Sequence, residues 1–241
     1  MTILRSVLFN FVFFVVSSVL ALAGLVLVLA PARYLRRWIQ IWARMVLGLL
    51  RGLCGIRLRV TGLEHLPSGA AVIAAKHQSA FDTIVWLALL EAPAYVLKRE
   101  LLSVPVWGLL AKRAGHIAVD RAAGASALRS MVREARGVLD EGRPIIIFPE
   151  GTRSQPGERL PYQPGVVALA GLGAPVVPVA TDSGLCWGRR AFIKRPGTIH
   201  LSILPPLPPG LSRSSLLGTL EAAIEEESAR LLQERPAPDE R

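Results

Sequence analysis

The chain opens on an unbroken apolar run: residues 6–30 are 25 uncharged positions rich in Leu, Val and Phe. As a helix this run is roughly 37 Å long, enough to cross the hydrocarbon layer of a bilayer. From residue 33 to 55 the rhythm becomes helical and two-sided. At about 100° per residue, Arg33, Arg37, Gln40, Arg44 and Arg51 fall within an arc of roughly 60°. The other faces carry Trp38, Ile39, Ile41, Trp42, Met45, Val46, Leu49, Leu50 and Leu53. This pattern predicts an interfacial helix whose apolar side sinks into the acyl–headgroup boundary while its arginines hold lipid phosphates. Packing of the same side on the protein's own core is the alternative.

Past Gly55, short β-branched runs alternate with amphipathic stretches, the mark of strand–helix units. The fold class expected is therefore α/β, a largely parallel sheet flanked by helices, with an amino-terminal membrane-associated helical segment. Strands are expected at 71–75, 94–97, 116–119, 145–148, 176–180 and 198–204. Helices are expected at 81–90, at 100–112 with Pro105 inside, near 164–172 and from about 214 to 233. Another is marked by Leu128, Met131, Val132, Ala135, Val138 and Leu139 and ends at Gly142 before Pro144. The division is a membrane anchor at 1–56, one catalytic domain at 57–235 and a loose tail at 236–241.

The formal net charge of +10 is unevenly placed: residues 1–60 hold eight arginines and no acidic residue, leaving 20 basic against 18 acidic residues beyond. An excess beside a membrane-length apolar run argues against nucleic acid as a partner and for membrane lipid. Arg5 precedes the run, whereas Arg33, Arg36, Arg37 and Arg44 follow it, so the positive-inside rule places the remainder in the cytoplasm, at the inner membrane. The run exceeds a usual signal core and Pro31-Ala-Arg-Tyr-Leu-Arg-Arg is a poor small-residue cleavage site, so it reads as retained, either crossing the bilayer or dipping in beside the second helix. Cys54 and Cys186 lack metal-ligand spacing and read as inert, and no His/Asp/Glu cluster suggests a metal.

Two segments carry chemistry. Lys76-His77-Gln78-Ser79-Ala80-Phe81-Asp82 follows a buried strand, so His77 stands at a strand end, where α/β sheets place ligands. If a turn separates the two, Asp82 in the next helix's first turn can hold the imidazole and make it a general base. Ser79-x-x-Asp82 is equally a capping-box pattern, with His77 a core histidine. Phe148-Pro149-Glu150-Gly151-Thr152-Arg153-Ser154 follows another strand and offers backbone approach at Gly151 and a two-pronged donor at Arg153, which suits a phosphate. A surface turn with an arginine salt bridge is the plainer reading of that segment. His65 and His200 read as structural, with no carboxylate nearby, and His116 is left unassigned.

Taken together, four blocks in order resemble the glycerolipid acyltransferase family, which includes 1-acylglycerol-3-phosphate (lysophosphatidic acid) acyltransferases. They are the His77–Asp82 pair, the spaced set Lys98, Leu101, Gly108 and Arg121, the stretch from Phe148 to Arg153, and Val177-Pro178-Val179. The resemblance implies that His77 is the base and Asp82 its orienter. It implies that Lys98, Arg121, Glu150, Gly151, Thr152 and Arg153 bind the acceptor's phosphate, with Gly108 and Pro178 walling the site. It implies no cofactor, only a co-substrate thioester of acyl-CoA or acyl carrier protein and a lysophospholipid acceptor. Lys76 departs from the asparagine the family often has there, which bears on acceptor preference. The turn after His77 is a candidate oxyanion donor because its amides open a helix. Other readings are acyl transfer to a different lysolipid, such as lyso-ornithine lipid or a lysophosphatidylcholine-like acceptor, and a non-enzymatic membrane scaffold.

Overall fold

A computed structural model describes residues 1–120 and 123–234. Arg121 and the tail expected at 236–241 lie outside the described residues. Among those described, seven strands form one sheet in the order β1 (Ile56–Thr61), β7 (Gly197–Ile203), β6 (Val176–Thr181), β2 (Val72–Ala75), β5 (Ile145–Ile147), β3 (Ala94–Lys98) and β4 (Ile117–Val119). Neighbours are parallel except β6 and β7. The expected α/β class is thus the observed one.

The sheet is buried on both faces, which is why its central strands read as continuous apolar runs. Ile73, Ala75 and Ile146 face one side, against Phe9 of α1 (Thr2–Gly24), Val46 and Leu50 of α2 (Ala32–Cys54) and Trp86 of α3 (Phe81–Leu89). Val72, Ala74, Ile145 and Ile147 face the other. There they meet Met131 and Ala135 of α5 (Gly124–Asp140), Val166 and Leu169 of α6 (Gly165–Ala170), and Leu220 and Ile224 of α7 (Arg213–Gln233).

The apolar side of α2 is therefore spent on the protein's own core. Leu35, Ala43, Val46, Leu50 and Cys54 are buried, whereas Ile41 and Met45 stay exposed. Amphipathicity could not separate the two uses, because lipid and core are both apolar. Helix α1 is packed on α2: Trp38 donates to the Leu20 carbonyl at 2.9 Å and Trp42 to the Ser17 hydroxyl at 3.0 Å.

The helix expected over 100–112 is broken. A 3-10 turn spans Arg99–Ser103 and α4 begins only at Trp107, running to Ala114. Pro105 has no N–H and pushes its predecessor out of the helical region; Val104 is extended at φ −69° and ψ 120°. Val106 turns the chain at φ +63°, unusual for a β-branched residue. Strand β1 was not anticipated. Its Ile56, Leu58 and Val60 alternate with Arg57 and Arg59, as suits a charged edge strand.

Candidate active site

Strands β2, β5 and β3 end side by side, and the residues that follow them form the site. Asp82 lies in the first turn of α3, and its Oδ2 is 3.1 Å from His77 Nδ1. The same oxygen accepts the amides of Gln78 and Ser79, each at 2.7 Å. Asp82 is therefore both cap and orienter, and the two readings of the motif are one arrangement. As an ionised carboxylate accepts only, the proton on Nδ1 points at Asp82 and the lone pair falls on Nε2. The ring stacks on Phe148 at a centroid distance of 4.0 Å.

Three of the amides after His77 are already taken. Besides the two held by Asp82, Phe81 N–H donates to Ser79 Oγ at 3.1 Å. Those three are not offered to an oxyanion, which narrows the expected donor to the rest of the turn.

Glu150 faces inward. Its Oε1 accepts Lys76 Nζ at 2.8 Å, and its Oε2 accepts the Ser154 hydroxyl at 3.1 Å and the His77 amide at 3.4 Å. Burial raises its pKa, and bonding and charge from Lys76, then the Ser154 hydroxyl, act against that. With both oxygens committed to internal donors, it holds the turns of the site together. Gly151 adopts φ +69°, a conformation glycine accepts without strain, but its N–H bonds the Phe148 carbonyl at 2.9 Å and is not offered to an anion. Thr152 is exposed.

Arg153 is the residue left wanting a partner: its Nε is buried without a hydrogen bond among the described residues. Burial lowers its pKa, Asp82 opposes this, and Arg189 and Arg190 lower it further. Those last two arginines, on the loop after β6, are missed by the sequence reading because they lie outside every motif. The loop is tied to the turn after His77 by Gly184 N–H donating to Gln78 Oε1 at 3.0 Å.

The other expected site residues are distributed differently. Lys98 ends β3 and is exposed at the same sheet edge. Gly108 lies in α4 against the carbonyl of Leu102, as a packing residue. Pro178 pairs with Ala74, three residues before His77, so it lies roughly 10 Å down the sheet and walls nothing at the ring. Lys76 points into the core rather than at an acceptor. His116 accepts the Tyr95 amide at 3.1 Å; burial, then Arg143 and Arg36, lower its pKa to about 4, so it is a neutral structural acceptor. His200 does have a carboxylate, Asp182, at 2.8 Å, reached only because β6 and β7 run antiparallel. A groove of about 960 Å³ lies at the opposite edge of the strands beside Arg33, Arg37 and Pro144.

An imidazole oriented this way can take a proton from a hydroxyl, and a guanidinium whose Nε lacks a partner among the described residues can hold an anion. Comparison shows which class this is. A family model described as Acyltransferase matches residues 57–182, and the chain belongs to that acyltransferase family, as the four blocks implied. It is 39% identical over 177 residues to a 1-acyl-sn-glycerol-3-phosphate acyltransferase of Pseudomonas aeruginosa, covering 73% of this chain and 68% of that one. It is 35% identical over 204 residues to the enzyme of that name from Limnanthes douglasii, covering 82% and 72%. The fold matches the crystal structure of the 1-acyl-sn-glycerophosphate (LPA) acyltransferase PlsC from Thermotoga maritima with a TM-score of 0.81. That match has 22% identity and covers 98% of this chain and all of that one.

Proposed function

We propose that the protein moves a fatty acyl group from acyl-CoA or acyl carrier protein to the free hydroxyl of lysophosphatidic acid, making phosphatidic acid, with His77 as general base. The His77–Asp82 pair, which leaves Nε2 free, carries this reading. Nε2 takes the hydroxyl proton as the oxygen attacks the thioester carbonyl; the tetrahedral intermediate expels thiolate, and the imidazolium returns the proton to sulfur. Arg153, flanked by Arg189 and Arg190, meets the phosphomonoester, and the relatives' names agree with that acceptor.

Thiol release from acyl-CoA by the purified protein tests this. Release should require lysophosphatidic acid, and Arg153→Ala should raise the acceptor's KM about tenfold, the worth of one charge-assisted contact. Release without acceptor would make the protein a thioesterase. Preference for a lysolipid without a phosphomonoester would move the acceptor assignment, and no release at all would leave a scaffold.

The protein sits on one face of a membrane in this reading. Helix α1 and the turn after it, Thr2–Leu29, are long and apolar enough to span, yet both ends hydrogen-bond one folded unit. Ser6 Oγ accepts the Lys194 amide at 2.9 Å and Asn10 donates to the Phe192 carbonyl at 3.0 Å. At the far end Arg113 donates to the carbonyls of Val28 and Ala30 at 2.9 and 2.5 Å. In a spanning helix one of those ends would lie across a hydrocarbon layer of roughly 30 Å from the folded unit it bonds here. The exposed Leu4, Leu8, Phe11, Val15 and Leu22 then lie in a single leaflet, and the arginines of α2 suit the anionic cytoplasmic leaflet of the inner membrane. Single cysteines at Ile3 and Leu29 should label from the same side in sealed vesicles, and labelling from opposite sides would restore a span. Native Cys54 and Cys186 are buried and should not interfere.

A further inference from the structure

Behind the imidazole lies a group of charges that the reaction itself does not use. Lys76 is 1% exposed, and its ammonium is shared between Glu150 Oε1 at 2.8 Å, Glu225 Oε1 at 2.7 Å and the Glu158 carbonyl at 2.9 Å. Tyr162 donates to the same oxygen of Glu225 at 2.9 Å. Burial and the Glu225 charge hold the Tyr162 phenol far above its usual pKa, so it stays a donor. Glu225 lies beside Ile224 on α7, which the second core face draws against the sheet. It stands beyond the segment that matches the acyltransferase family.

The chain of contacts ends on the catalytic residue. Glu150 Oε2 receives the His77 N–H, and Ser154, bonded to that oxygen, returns its own N–H to the His77 carbonyl at 2.8 Å. The backbone of His77 is thus clamped on both sides by the loop after β5, and the loop is clamped by Lys76.

We propose that Glu225, on the carboxy-terminal helix, is a positioning residue for acyl transfer: it fixes Lys76, Lys76 fixes Glu150, and Glu150 holds the His77 backbone in register with Asp82. The proposal rests on His77 being the base. Two carboxylates share one ammonium, so the cation is what allows both to remain charged in a site of low dielectric. Without it the two carboxylates repel, one takes up a proton, and a neutral Glu150 holds its two donors more weakly.

Steady-state kinetics on the full-length protein, with melting temperatures alongside, test this. Lys76→Met should lower kcat at least tenfold with the KM of both substrates within about twofold. Lys76→Met/Glu225→Gln should recover part of that loss, because it removes the surplus negative charge. Glu225→Leu should lower kcat about fivefold. Glu225→Gln, which keeps an acceptor for Lys76 and Tyr162, should stay near wild type. A double variant no better than Lys76→Met, or a Glu225→Leu enzyme with unchanged kcat per folded molecule, would overturn the proposal. His77→Ala is the control: if it is inactive while Lys76→Met keeps full kcat, the positioning role fails and the base assignment stands. If His77→Ala is active, both fall.

Discussion

His77→Ala should lower kcat about a thousandfold or more, with acceptor KM little changed. General base catalysis contributes up to about four orders of magnitude, and among the described residues no second base is paired with Asp82 at the carboxyl edge of β2. The readout is acceptor-dependent thiol release, normalised to folded protein, because the variant also loses the imidazole stacked on Phe148. Asp82→Asn should cost less, about a hundredfold. Its side-chain oxygen can still accept from Gln78, Ser79 and the ring, so the geometry survives and only the charge that stabilises the imidazolium is lost. If His77→Ala retained a tenth of wild-type kcat, the base would have to be sought elsewhere.

What could be read in advance divides along sequence distance. His77 and Asp82 are five residues apart and bridged by one turn, so strand periodicity plus turn chemistry allowed their meeting, and the resemblance to the family's motif decided for it. The same holds for the strand ends that carry Lys98 and Glu150. Glu225 meets Lys76 across 149 positions, and no local pattern marks that meeting. Lys76 consequently read as a departure bearing on the acceptor, when its charge is consumed internally. Asp182 and His200 met for the same long-range reason, through an antiparallel pairing in a sheet expected to be mostly parallel.

Other misreadings came from motifs rather than distance. Pro178 belongs to a motif characteristic of the family, but its register opposite Ala74 sets it inside the sheet. Its carbonyl accepts the Leu204 amide at 3.0 Å, just past the end of β7, where Pro178's own missing N–H breaks no ladder bond. Glu150 entered the phosphate site only as part of its family block, yet a carboxylate has the wrong charge to hold a phosphate, and its oxygens here face internal donors.

Gly108→Ala should destabilise the protein by about 3 kcal/mol, a fall in Tm of about 6–12 °C for a chain of this size. A Cβ at position 108 would lie 2.0 Å from the Leu102 carbonyl oxygen and 2.5 Å from its carbon. The obstacle is backbone, so no side-chain rotation relieves it. The 3-10 turn Arg99–Ser103 would have to move away from α4, and the Gly108 N–H to Val104 carbonyl bond at 2.8 Å would stretch with it. Because Lys98 directly precedes that turn, the acceptor KM of the surviving folded fraction should also rise if Lys98 binds phosphate, while kcat should hold because His77 stands just past β2, away from that turn. Thermal unfolding together with acceptor titration separates the two effects. An unchanged Tm would show that α4 and the turn slide apart at little cost, and an unchanged KM would remove Lys98 from the phosphate site.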